Sequence, residues 1–288
     1  MHDQAESLRK LVSSYESLAN DTKVVSVVSG KGGVGKSNFS VNFAIVLRQA
    51  GKRVLLMDLD IGMANADILM GISTRYNIVD MIENQLSIWD IIEKGPGGIA
   101  FISGGTGFSK VFQLNERKFN RFVEQLEKLN GEYDYIIFDM GAGVNENSLK
   151  FILSSNESII ITTPEPTAIT DAYAMLKYLL QLKKDIECKI LVNRTDSKKE
   201  AIKTGENFKR VARRFLDKEV AFLGYLPNDK LVLKAVKRQV PFILLEPKGR
   251  ISKNLQEIAR LYLQETKKSE QPMFRSFINN FKKLFKER

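Results

Sequence analysis

The chain has 288 residues, one cysteine, one histidine and a formal net charge of +10. This length suits one large domain with appendages, and a lone His2 near the chain start leaves no basis for His-based acid–base catalysis or a His-containing zinc site. A single Cys188 excludes an intrachain disulfide and suits a reducing compartment, and no apolar run approaches the roughly 20 residues that span a bilayer.

The opening Met1–Lys10 is polar and lacks a signal-peptide core, so a cytoplasmic protein is expected. Residues 3–19 place Ala5, Leu8, Leu11, Val12, Tyr15 and Leu18 on one helical stripe. Such a helix needs a partner, either its own domain or another protein.

Val24–Ser29 is β-branched enough for a buried parallel strand, and residues 38–49 repeat Phe39, Phe43, Val46 and Leu47 at helical spacing. Between them stands Gly30-Lys31-Gly32-Gly33-Val34-Gly35-Lys36-Ser37, which fits G-x-x-x-x-G-K-[ST] in the required order of strand, loop and helix. Glycines let the backbone approach a phosphate chain, and the helix that follows, opening with Asn38, directs its positive end at the same point. Lys36 supplies a point charge for the β- and γ-phosphates of a bound triphosphate, and Ser37 a hydroxyl for Mg²⁺. Lys31 is surplus to nucleotide binding within one chain.

Arg53–Asp58 reads as a second strand ending in acid, and Asp58 and Asp60 stand at alternate positions where a parallel strand opens toward a ligand crevice. Asn65 and Asp67 follow, with helix capping as one role open to either. Residues 71–98 carry no recognisable chemistry, and Trp89 is expected to pack. Ile99–Ser103 forms a third strand, covered by a helix over 116–130. Tyr135–Asp139 is an apolar strand ending in a carboxylate suited to Mg²⁺, followed by Met140-Gly141-Ala142-Gly143. Ser158–Thr163 is a further strand, leading to Pro164-Glu165-Pro166 and a helix over 171–182. The strand through Lys189 ends in Asn193-Arg194, an amide that suits an adenine edge and a guanidinium that can stack on its face. Val220–Leu226 gives the last strand, with the turn Pro227-Asn228 after it. Strands starting near 24, 53, 99, 135, 158, 188 and 220, separated by helices, imply an α/β fold with a mostly parallel, doubly wound sheet of seven or eight strands.

The charge concentrates in two places. Residues 183–218 hold twelve Lys/Arg and six Asp/Glu; within them Lys209, Arg210, Arg213 and Arg214 share a helix with apolar Phe208, Val211, Ala212 and Phe215, read as either a docking face or a solvated one. Residues 267–288 hold seven Lys/Arg and two Glu. There Phe274, Phe277, Ile278, Phe281, Leu284 and Phe285 form an apolar stripe opposite Arg275, Lys282, Lys283 and Lys286, as an in-plane membrane helix requires. Packing onto the core is the alternative. The domain limits expected are 1–21, 22–266 and 267–288.

Lys31 and the glycines around it resemble the deviant Walker A motif, K-G-G-x-G-K-[ST], of the MinD/ParA family. In that family the extra lysine reaches across a nucleotide-sandwich homodimer, so the resemblance gives Lys31 a role in trans. It likewise makes Asp60 the residue that orients the attacking water, Asp58 a support of the Mg²⁺ shell, Asp139 the Walker B acid and Asp139–Gly143 a switch that senses γ-phosphate. Glu165 is implied at the dimer interface against the partner's ribose, and Asn193, Arg194, Pro227 and Asn228 around adenine. Asp3-Gln4-Ala5-Glu6-Ser7-Leu8-Arg9 looks like the D-Q-A-x-x-L-R motif of the FlhG branch (also called YlxH or FleN), which activates the SRP-type GTPase FlhF. Asp3, Gln4, Ala5, Leu8 and Arg9 are thus implied as partner contacts, with Gln4 the key polar residue. This resemblance implies a slow, Mg²⁺-dependent, dimerising ATPase that cycles between ATP and ADP, binds anionic membrane through its tail and regulates flagellar number or placement. Flagellar switch (C-ring) proteins are further candidate partners. A ParA-type DNA-partition ATPase and a MinD-type division-site regulator are the alternatives; the tail and the N-terminal motif disfavour DNA. One cysteine per chain cannot supply a cluster bridging two subunits, which argues against an iron protein.

Overall fold

β-Branched runs alternate with helical repeats along the chain, and the computed structural model, which describes residues 21–60, 65–105, 116–143, 145–265 and 272–286, gathers the runs into one eight-stranded sheet. Its strands are β1 (Lys23–Val28), β2 (Val54–Leu59), β3 (Glu93–Lys94), β4 (Ala100–Ser103), β5 (Tyr135–Met140), β6 (Glu157–Thr162), β7 (Cys188–Thr195) and β8 (Ala221–Pro227). They lie in the order β3-β4-β2-β5-β1-β6-β7-β8, parallel throughout except for the β3–β4 edge pair. The seven expected strands are present; the two-residue β3 is too short to leave a periodic signal.

The helices are α1 (Lys36–Gln49), α2 (Ala66–Met70), α3 (Ile78–Glu83), α4 (Glu116–Glu127), α5 (Glu146–Ser154), α6 (Pro166–Leu182), α7 (Lys198–Leu216), α8 (Lys230–Arg238), α9 (Phe242–Leu245), α10 (Arg250–Glu265) and α11 (Met273–Lys286). Because side chains alternate along a strand, Val24 and Val28 feed one core while Val25 and Val27 feed the other. The first core is closed by α3, α4, α5, α6, α7 and α11, the second by α1, α2, α8, α9 and α10.

The tail stripe takes, within this chain, the second of its two expected settings. Phe274, Phe277, Ile278, Phe281 and Phe285 are buried in the first core and Leu284 packs partly against it, so this face is covered by the protein's own domain rather than presented to lipid. The reason is aromatic complementarity: Phe281 lies 4.7 Å from Phe151, Phe285 stacks 4.7 Å from Phe119, and Phe277 meets Phe138 at 5.6 Å. Lys282 then pairs with Glu127 at 2.6 Å on the rim. Two smaller expectations also change. Trp89 is 46% exposed, and Phe215 is 65% exposed while Ala201, Phe208 and Ala212, with Leu216 at the margin, seat α7. The helix expected over 3–19, with its contacts Asp3, Gln4, Ala5, Leu8 and Arg9, lies outside the described residues.

At the foot of the sheet, the edge where the parallel strands begin, buried Glu157 accepts Lys23 at 2.7 Å and lies 3.8 Å from Lys189, which reaches Glu265 at 3.1 Å. Both ammonium groups also sit about over the Tyr262 ring, at 5.0 and 5.1 Å. Removing the central carboxylate leaves two buried ammonium groups without their shared partner. Glu157→Ala should therefore lower stability by about 3–5 kcal/mol, read as a reduced urea midpoint.

Candidate functional site

The glycine loop continues β1 at the centre of the sheet, beside the point where chain order reverses, the usual position of a ligand crevice in an open α/β sheet. Two glycines are required by their surroundings. A Cβ on Gly30 would fall 2.2 Å from the Asp171 carbonyl oxygen, so only glycine lets the loop seat on α6. Gly35 caps α1 in the left-handed region at φ 92°, and its Cβ would fall 2.3 Å from the Asn193 amide nitrogen. No side chain caps α1 and no acid occupies its first turn, so the helix presents bare N–H groups and its positive end.

Sheet register sets the acid chemistry. Asp58 on β2 is the direct partner of Asp139 on β5, and both carboxylates face α1. Lys36 donates to Asp139 Oδ1 at 3.2 Å, and the Ser40 hydroxyl lies 3.0 Å from the same oxygen, while the buried Asp139 Oδ2 has no hydrogen-bond partner. Asp58 accepts the backbone N–H groups of Asp60, Asn65 and Ala66 at 3.1, 3.1 and 3.0 Å. Burial, then the Asp139 charge, nevertheless push its carboxyl up to about 7. Two crowded carboxyl groups, one with an unsatisfied oxygen, next to a phosphate cradle and the Ser37 hydroxyl fit a hard divalent cation. Among the described residues no group of three acids, histidines or cysteines converges, so such a cation would complete its shell from phosphate and water, as Mg²⁺ does.

The two glycine-containing switches meet here. Gly143 N–H donates to the Ser29 carbonyl at 3.1 Å, and a Cβ on Gly141 would lie 3.0 Å from Asp60 Oδ1. The acid expected to orient water is thus brought against the segment expected to sense γ-phosphate. Asn65 and Asp67 give α2 no side-chain cap; Asp67 instead accepts its neighbour Ile68 N–H at 2.8 Å.

Asn193 has a use beyond the expected one. Its Nδ2 donates to the Val34 carbonyl at 2.8 Å and its Oδ1 accepts Arg194 N–H at 2.9 Å, so both ends of the amide brace the protein. The cause is proximity: β7 ends directly beneath the loop, and Arg194 turns away with φ 55°. Beside it a small cavity of about 70 Å³ is lined by Gly35, Asn38, Asn193, Arg194, Pro227 and Asn228. The structure therefore brings the expected base-contacting residues together, with Asn193 also positioning the phosphate loop.

Lys31 does not enter the cradle. Its ammonium lies 3.2 Å from Glu165 Oε2 and 3.0 Å from Thr167 Oγ1, with 40% and 60% of the Lys31 and Glu165 side chains exposed. Both residues expected to work across a dimer are paired with each other within one chain. An exposed pair of this kind contributes about 0–1 kcal/mol and is readily exchanged. Ser40 and Asp171 were not singled out from sequence. Ser40 had a readable signal, one helical turn beyond Lys36 on the same face, whereas the Asp171 contact is made by backbone and has none.

Gly35→Ala should weaken nucleotide binding by roughly tenfold or more, because it combines backbone strain with a clash on Asn193; Gly33→Ala, where a Cβ meets nothing within 4 Å, should cost less in the same titration. In nucleotide-free protein the unfolded chain releases the Asp58 proton near 3.8, while the folded chain holds it to about 7. Stability should therefore fall as pH rises between those values, and Asp58→Asn should flatten that slope in denaturant melts.

The ParA family model, described as an NUBPL iron-transfer P-loop NTPase, matches residues 20–262. The antiactivator FleN of Pseudomonas aeruginosa is 31% identical over 238 residues, covering 83% of this chain and 85% of that protein. The flagellum site-determining protein YlxH of Helicobacter pylori is 32% identical over 272 residues, covering 92% of each. Among solved structures, the septum site-determining protein MinD of Pyrococcus horikoshii, complexed with Mg-ADP, superposes with a TM-score of 0.70 at 24% identity, covering 87% of this chain and all of that one. Fold, cradle and relatives agree: the chain belongs to the ParA/MinD family of P-loop NTPases.

Proposed function

We propose that this protein is an ATP-driven, dimerising switch of the flagellar site-determining kind. The observation that carries the reading is Lys31, which stands beside a complete phosphate cradle yet outside it, held only by the exchangeable Glu165 and Thr167. The relatives FleN and YlxH, whose names describe an antiactivator and a flagellum site determinant, supply the cellular setting.

In this reading Gly30–Gly35 and the start of α1 cradle the phosphates of ATP, and Lys36 leaves Asp139 for the β- and γ-phosphates. Ser37, Asp139 and Asp58 hold Mg²⁺, which neutralises phosphate charge during hydrolysis. Asp60 orients water, and Lys31 crosses to the partner's nucleotide. The stripe on α11 then reaches an anionic membrane only by leaving its seat. Five large buried side chains make that seat worth about 8–15 kcal/mol of apolar burial before ordering costs, so a bilayer must replace most of it. Paired tails in a dimer gain from effective concentration what one tail lacks. Residues 1–20 would contact an SRP-type GTPase resembling FlhF. Iron transfer is not part of this reading: Cys188 is buried and its thiol is pushed up to about 12 by burial.

A second reading, non-specific DNA binding of the partition type, draws on the exposed cations Lys199, Lys203, Arg210, Arg213 and Arg214 along α7. ATP-dependent, salt-sensitive binding to random duplex without vesicle binding would favour it.

Lys31→Ala should retain ATP affinity within about threefold, since an exposed pair is lost, but should abolish ATP-dependent dimerisation in analytical ultracentrifugation. Dimerisation at the wild-type level would end the proposed role in trans. In flotation with phosphatidylglycerol vesicles, ATP should increase binding of the full chain, and Arg275→Glu with Lys283→Glu, both exposed and outside the buried stripe, should reduce it severalfold.

A further inference from the structure

α8 turns most of its length outward. Only Leu231 and Ala235 are buried in it, while Leu233 is 61% exposed and Val236 37%. Lys230, Lys234, Lys237 and Arg238 are exposed as well, the helix holds no acid, and none of these four cations is in an ion pair among the described residues. On α7, by contrast, Lys209 meets Glu206 at 3.0 Å and Arg213 meets Glu219 at 3.8 Å. Lys230 even stands in the first turn, where the helix dipole opposes a positive charge. Residues 230–253 together hold seven Lys/Arg and one Glu, a third basic stretch that acids elsewhere in the chain offset.

Neighbouring elements extend the patch. α2 and α8 both end in left-handed caps, Gly71 and Gln239, and a Cβ on Gly71 would fall 2.7 Å from the Gln239 carbonyl oxygen. Gly71 N–H donates to the Ile68 carbonyl and Gln239 N–H to that of Val236, so Ile68, 51% exposed, and Val236 each stand one turn behind two caps that meet. With Leu233 they are three of the nine large apolar side chains exposed among the described residues. On the other flank Gly249 seats against α8, its Cβ position 3.1 Å from Leu231 Cδ2, and brings the exposed Lys248 and Arg250 alongside. An apolar strip bordered by unanswered cations results, the layout of a protein-docking face.

We infer that this face binds an acidic amphipathic segment of another protein, with carboxylates on the α8 lysines and apolar side chains on Leu233, Val236 and Ile68. Charge complementarity selects that occupant. A second copy of this chain meeting the face about a two-fold axis would set cations against cations. Duplex DNA would satisfy the lysines but cover the apolar strip with phosphate and sugar, gaining nothing from it. Lipid would need α8 to offer its apolar side, which Leu231 and Ala235 commit to the core. The inference stands apart from the proposed ATP cycle, and its readouts need no nucleotide.

The probe is a fluorescein-labelled helical peptide of about 18 residues, with Glu on one face and Leu at i, i+3, i+4 and i+7 on the other. It is titrated by anisotropy with the nucleotide-free full chain at physiological salt, where distant charges are screened. Lys230→Glu with Lys234→Glu should weaken binding roughly tenfold, and Leu233→Ser, at constant charge, roughly threefold. Arg213→Glu with Arg214→Glu on α7 should leave it within about twofold. All these positions are exposed, so urea midpoints should match the wild type and exclude misfolding as the cause. Wild-type peptide binding in the lysine variant, or no peptide binding to the wild type, would overturn the docking face. A loss in the lysine variant with none in Leu233→Ser would leave only a polyanion site and overturn it too. Tighter binding of random duplex or of phosphatidylglycerol vesicles than of the peptide, lost in the lysine variant, would assign the face to nucleic acid or lipid instead.

Discussion

Two carboxylates share one ammonium at the crest of the sheet, and much of the molecule follows from that shortage. Sheet register forces Asp58 and Asp139 into adjacent positions facing α1, and Lys36 can satisfy only part of the charge. The site answers by holding Asp58 toward its protonated form and by leaving one Asp139 oxygen without a partner. A nucleotide that draws Lys36 toward its phosphates deepens the shortage, and a divalent cation removes it. Nucleotide and cation are therefore expected to bind together, each relieving a conflict the other creates. Ser40, whose hydroxyl stays near Asp139, keeps that acid oriented as the lysine leaves.

The surroundings of the cradle transmit rather than react. Asn193 ties the loop to β7, Gly30 seats it on α6, and Gly143 joins the second switch to the end of β1. α6 begins immediately after Glu165, so the helix that supports the loop also carries the acid that holds Lys31. Any exchange of Lys31 toward another chain thus acts on an element already in contact with the phosphate site.

Most of the sheet and the cradle were legible in the sequence because both rest on local rules. Apolar runs of five or six residues mark buried parallel strands, and glycine, lysine and serine at fixed spacing mark a phosphate loop. What could not be read depends on contacts distant in sequence. The stripe Phe274–Phe285 has the same periodicity whether it faces lipid or an aromatic core, and only Phe119, Phe138 and Phe151 decide between them. The pattern that seats Phe208 fails for Phe215 because α7 turns Ala212 and Leu216 to the core and leaves Phe215 outside that row. Asn193 has the right chemistry for a base, but its second task, one N–H on the Val34 carbonyl and Oδ1 on Arg194 N–H, depends on a loop 159 positions away.

The ion network at the foot bears on how such a protein can meet a surface. Glu265, the last residue of α10, is fastened through Lys189 to the beginning of the sheet, and only seven peptide steps separate it from Pro272. Those steps extend at most ~25 Å. A tail that leaves its groove is therefore a short leash anchored at one edge of the sheet, opposite the edge that carries the phosphate loop. Were a membrane to hold that leash as proposed, it would lie near the strand beginnings, with the sheet foot toward lipid and the phosphate loop on the far side.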